Sequence, residues 1–139
     1  MKICVLGAGS LGCAIGGALA RSGADVTLIN RREAHVLAIR QHGLVLREAG
    51  VDTPVAVRAA TDAAGLGVMD LLIVLVKSYD TRSAMQGALH LVGPETVVLS
   101  LQNGLGHEDV LADLVGAERV LAGKTYVGGG QYSQDPVSY

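Results

Sequence analysis

The chain has 139 residues, half of them apolar and 17% charged, with 11 Lys and Arg against 13 Asp and Glu. That length suits one domain able to bury a core, and that composition excludes intrinsic disorder. A net charge of -2 lacks the basic excess that phosphate-backbone binding needs, so no nucleic-acid partner is expected.

Residues 2–6 are a strand-like run with no room ahead of them for a signal peptide, and no apolar stretch approaches the roughly 18 residues of a membrane span. A soluble, cytoplasmic protein with no membrane partner is expected. Leu11, Ile15, Ala18 and Leu19 follow at helical spacing, with Gly23 placed to end that helix. Residues 26–29 read as a second strand and 33–41 as a helix closing at Gly43. Residues 44–46 and 55–57 flank a turn-rich stretch, 50–54, and are expected to form a short hairpin or edge pair. Residues 71–76 are consecutive aliphatics, the pattern of a parallel strand buried on both faces. A helix over 81–91 stopped by Gly93-Pro94, a strand over 96–101, a helix over 108–115 and a strand over 120–122 complete the series. Such alternation predicts one α/β domain over 1–139, a doubly wound, mostly parallel sheet of the Rossmann type.

Cys4 and Cys13 have no histidine beside them and are read as two buried thiols, neither a disulfide nor part of a metal cluster. His35, His42, His90 and His107 are scattered, so no metal site is expected, and His107 is read as a surface residue. The only aromatics, Tyr79, Tyr126, Tyr132 and Tyr139, are too few for a base-stacking platform.

Chemistry concentrates at the strand ends. Gly7-Ala8-Gly9-Ser10-Leu11-Gly12 lies between the first strand and first helix, where each glycine has a physical task. Gly7 permits the tight turn, Gly9 lets the backbone approach a pyrophosphate, and Gly12 lets the helix pack closely, while the helix start offers N–H donors and a positive dipole. At the end of the second strand, where an NAD site carries an acidic residue, stand Asn30-Arg31-Arg32. A guanidinium there grips the 2'-phosphate of NADP that a carboxylate would repel, so Arg31 points to NADP. Whether Arg32 shares the phosphate or only solvates the second helix is left open. Lys77, Gln102-Asn103-Gly104 and Lys124-Thr125 each follow a strand, so Gly7 to Gly12, Arg31, Lys77, Asn103 and Thr125 are expected to converge on one crevice.

The run from Met1 to Gly12, Asn30-Arg31, Val76-Lys77 and Leu101-Gln102-Asn103-Gly104-Leu105-Gly106 together resemble the N-terminal domain of the ketopantoate reductase (2-dehydropantoate 2-reductase) family. The resemblance implies NADPH-dependent reduction of a 2-keto acid, ketopantoate, to pantoate, a step towards pantothenate. Ala8, Ser10 and Leu11 would join the three glycines around the pyrophosphate, and Asn30, Arg31 and Thr125 would also serve the cofactor. Lys77 and Asn103 would lie near the nicotinamide ribose and the reacting carbonyl. The main acid, a Lys, and a substrate-binding Glu belong in that family to a helical C-terminal domain absent from 1–139, towards which the residues from about 125 would lead. The family often has Thr followed shortly by His-Ala where this chain reads Thr125-Tyr126-Val127, which leaves the keto acid open.

Alone, this half is expected to bind NADP and reduce little or nothing, and its uncovered apolar face predicts self-association, with a homodimer the candidate assembly. Two other functions fit the same residues: a non-catalytic NADP-binding regulatory module, and another NADP-dependent dehydrogenase of the β-hydroxyacid type.

Overall fold

A computed structural model describes residues 1–76, 80–101, 107–123, 133–134 and 137–138. Strand β1 (Lys2–Leu6) explains the sheet's position, because its side chains alternate between two separate cores. Ile3 and Val5 join one cluster with Cys13, Val36 and Ile39, while Cys4 and Leu6 join another with Met85 and Leu111. A strand whose two faces are both apolar has to be covered on both sides, which is the requirement a doubly wound parallel sheet meets.

Helix α1 (Ser10–Arg21) and strand β2 (Asp25–Ile29) follow β1, then helix α2 (Glu33–His42) and the hairpin β3 (Leu44–Glu48) and β4 (Val51–Val55). A short strand β5 (Arg58–Ala60), then β6 (Met69–Val74), helix α3 (Thr81–Gln86), β7 (Val92–Ser100), helix α4 (His107–Val115) and β8 (Val120–Ala122) complete the main body. The sheet runs β5-β2-β1-β6-β7-β8, every neighbouring pair parallel. Its rims are short strands of three residues each, β5 and β8. A second sheet sets β4 and β3 beside the two-residue strands β10 (Val137–Ser138) and β9 (Ser133–Gln134).

Several boundaries differ from the sequence expectation. The hairpin turns at Ala49-Gly50, where both residues have positive φ, and β4 runs through Asp52 to Pro54 instead of starting after them. Pro54 is tolerated because β4 is an edge strand of its sheet. The strand β5 was not anticipated, since Arg58-Ala59-Ala60 has neither the length nor the β-branched composition of a strand. The helix expected over 81–91 ends at Gln86, with Gly87 as its C-cap, and a 3-10 turn at Leu89–Leu91 follows. Strand β6 begins at Met69 and ends at Val74, and β7 begins at Val92, passing through Gly93-Pro94 rather than starting beyond it. The pairing slips there, from Met69 opposite Val92 to Leu71 opposite Val97. Thr96 bridges the slip: its hydroxyl donates to the Met69 carbonyl at 2.6 Å and accepts from the Gly93 N–H at 2.8 Å.

Both cysteines are buried and neither forms a disulfide, and burial pushes the Cys4 thiol up to about 12, as inert small apolar groups behave. The expectation that no histidine lies beside them fails in three dimensions. His35 packs into the core under the glycine loop, its Nε2 3.5 Å from the Cys13 sulfur. Burial, with the Arg32 guanidinium adding to it, holds His35 below the ordinary histidine range.

Candidate functional site

Parallel registers align one residue of each strand into a single row across the sheet: Ala60, Ile29, Leu6, Val74, Ser100 and Ala122. That row marks the carboxyl ends of the strands, the side on which open α/β sheets bind their ligands. Lys77, Asn103 and Thr125 each come three residues after a member of the row, and Gly9 does so too. Lys77, Asn103 and Thr125 themselves lie outside the described residues.

Between β1 and β6 the strand order reverses, since β2 and β5 lie on one side and β7 and β8 on the other. A cleft of about 530 Å³ opens at this switch point, within the range of cofactor pockets. Gly7, Gly9, Asn30, Arg31, Arg32 and Val76 are among its walls.

Gly7 makes the tight turn and Gly12 the close helix packing that the residue pattern suggested. Gly7 has φ +93°, and a Cβ there would stand 2.5 Å from the Val76 nitrogen, so the close crossing of β1 and the end of β6 excludes any side chain. A Cβ at Gly12 would meet the Gly7 carbonyl oxygen at 3.0 Å and Val5 at 3.2 Å, which lets α1 sit tightly over its own strand. Gly9 is different. It is exposed, is the N-cap of α1, has an ordinary φ of -79°, and a Cβ on it would find nothing within 4 Å. The fold does not require glycine at position 9, but a ligand pressed against this backbone would.

Helix α1 starts at Ser10, so the N–H groups of Ser10, Leu11 and Gly12 precede the first intrahelical bonds, and its dipole favours an anion there. Gly16 and Gly17, which sequence reading passed over, extend the bare face of the same helix. A Cβ at Gly16 would meet Leu28 at 2.5 Å, and at Gly17 it would meet Leu44 at 2.8 Å. The four-residue spacing of Gly16 from Gly12 places those two on one helical face, while Gly17 turns towards Leu44 and Leu46 of β3.

Asn30 fixes the loop to the second strand. Its amide donates to the Ala8 carbonyl at 2.8 Å, and its own carbonyl accepts the Arg32 N–H at 2.8 Å. The Gly7 and Ala8 N–H groups both donate to the Ile29 carbonyl, at 3.1 and 2.8 Å. Asn30→Ala removes one donor and one acceptor at this joint, and a loss of about 1 to 3 kcal/mol in urea denaturation is expected. Unchanged stability would mean the loop is held elsewhere.

Arg31 stands at the cleft mouth with its side chain 80% exposed, its Nη2 2.9 Å from Oδ2 of Asp80, whose side chain is 18% exposed. Asp80 escaped the sequence reading. An Asp immediately before a helix reads as a cap, yet this one makes no side-chain cap bond. His35 was also missed as a core residue, although it lies four residues before the buried Ile39 on the inner face of α2. Among the described residues no group of three or more His, Cys, Asp and Glu could hold a metal ion. No helix among them is long and apolar enough to cross a membrane.

Comparison with known proteins gives this geometry a context. The family described as Ketopantoate reductase PanE/ApbA matches residues 3–138. The 2-dehydropantoate 2-reductase of Halobacterium salinarum is 42% identical over 126 residues, covering 90% of this chain and 41% of the relative. That of Pyrococcus horikoshii is 43% identical over 116 residues, covering 84% and 37%. Among solved structures, a PanE/ApbA family ketopantoate reductase from Ralstonia eutropha superposes with a TM-score of 0.89 at 38% identity, over 100% of this chain and 46% of that one. A D-mandelate dehydrogenase bound to NADH and anilino(oxo)acetate gives 0.90 at 31% identity, over 99% and 45%. The chain thus spans about two fifths of the length of the curated relatives it matches.

Proposed function

The chain belongs to the ketopantoate reductase family, and from that premise we propose that it forms the NADP-binding half of a cytoplasmic oxidoreductase that reduces a 2-keto acid, 2-dehydropantoate, to pantoate. The observation that carries this reading is the bare backbone at Gly9, set at the N-terminus of α1 and facing the cleft where the strand order reverses. A cradle that a single Cβ would fill fits a pyrophosphate.

In this assignment the N–H groups of Ser10, Leu11 and Gly12 hold the pyrophosphate, with Gly7 and Ala8 shaping the loop. Asn30 positions that loop through the Ala8 carbonyl, and Arg31 grips the 2'-phosphate. When bound, the nicotinamide supplies the reducing equivalents for the ketone. By the family resemblance, Lys77 and Asn103 are assigned to the nicotinamide ribose and the reacting carbonyl, and Thr125 to the cofactor. The proton donor and the carboxylate that binds substrate are assigned to the part of the relatives outside the matched region. Position is then the main contribution of these residues, because a bound ketone has to meet the reduced ring at near-attack distance.

Titration with NADPH and NADH tests the reading. The phosphorylated dinucleotide is expected to bind at least about tenfold tighter, roughly 1.4 kcal/mol, and Arg31→Ala to remove that margin while leaving NADH nearly untouched. Equal affinities for both in the parent chain would overturn the Arg31 assignment.

A further inference from the structure

Resting on that reading of the cleft, we infer that Asp80 sets the margin between phosphorylated and unphosphorylated dinucleotide by contending with the 2'-phosphate for Arg31. Three observations converge. The two side chains come from opposite walls, 49 residues apart in sequence, and meet at 2.9 Å over the cleft that both line. The carboxylate is the fixed member of the pair, largely covered at the start of α3, whereas the guanidinium is the exposed one. Asp80 also occupies the N-cap position of that helix without making a side-chain cap bond; its carboxylate reaches Arg31 instead.

A guanidinium binds phosphate best with two parallel N–H groups aimed at it. With Nη2 already on Asp80, Arg31 has to release the carboxylate or share itself between two anions that repel each other. An unphosphorylated dinucleotide makes no such demand. Asp80 therefore lowers affinity for NADPH more than for NADH, and the chain discriminates less than an uncontested arginine would. Asp80 is thus a positioning residue that acts through Arg31.

Asp80→Asn keeps the shape of the side chain and removes its charge. In equilibrium titrations it is expected to tighten NADPH about three- to fivefold, the range an exposed ion pair commands, and to change NADH less than about twofold. The gain is expected to vanish in the Arg31→Ala background, a result that a merely structural role of Asp80 would not produce. Asp80→Ser, which retains a capping hydroxyl, serves as the second variant if the first folds poorly. Unchanged or weaker NADPH binding, equal tightening of both nucleotides, or a gain that persists without Arg31 overturns this inference alone. A parent chain that binds neither nucleotide overturns it together with the reading of the cleft.

Discussion

Gly7→Ala is expected to unfold the domain or to leave it destabilised by about 3 to 5 kcal/mol, much of the 5 to 15 kcal/mol that holds a typical domain together. Two penalties combine at this position. The backbone has φ +93°, which costs an alanine about 1 to 2 kcal/mol, and the new Cβ would press on the Val76 nitrogen at 2.5 Å and the Leu75 carbonyl carbon at 2.8 Å. Neither obstacle is a side chain that could swing aside. Gly23→Ala separates the two effects, since that residue has φ +104° but nothing within 4 Å of a Cβ, and only the first penalty should register. Urea denaturation of both variants measures the difference. Equal losses would mean that the crossing of β1 and the end of β6 yields more readily than its backbone contacts indicate.

Gly9→Val is expected to do the reverse, losing NADPH binding on the order of a hundredfold while stability falls by about 1 kcal/mol or less, the price of a poorer helix cap. The residue has an ordinary φ and open space where its Cβ would be, so only a ligand would notice the new side chain. Calorimetric titration alongside thermal melting reads both quantities on one sample. A variant that bound as tightly as the parent would detach the cleft from the cofactor.

Position along the chain carried much of the fold. The alternation of aliphatic runs and helical spacing located β1, β2, β6 and β7, because a strand covered on both faces leaves a nearly unbroken apolar signature, and the same alternation placed the short rim strand β8. What escaped had no local signature. Arg58–Ala60 becomes a strand because β2 offers it a free edge, not because its residues prefer one. Pro94 looked like a stop and lies within β7, since the hydroxyl of Thr96 takes over bonds the slipped ladder loses there.

The site divides along the same line. Gly7 and Gly12 were legible because backbone geometry prescribes a glycine for each, whereas at Gly9 the fold leaves the choice open. The place of Arg31 on the cleft wall was legible from its position after β2. Its partnership with Asp80, and that of Cys13 with His35, joins residues 49 and 22 positions apart, and no periodicity announces such meetings.

The brevity of β5 and β8 bears on the protein's behaviour in a crowded solution. An outermost strand offers its unpaired backbone groups to any passing chain, and fibril growth begins when enough of them are taken up at once. With three residues at either rim among the described residues, a stranger finds too short a template to hold there, even beside the exposed Leu121. The sheet thus carries its own brake on fibre formation.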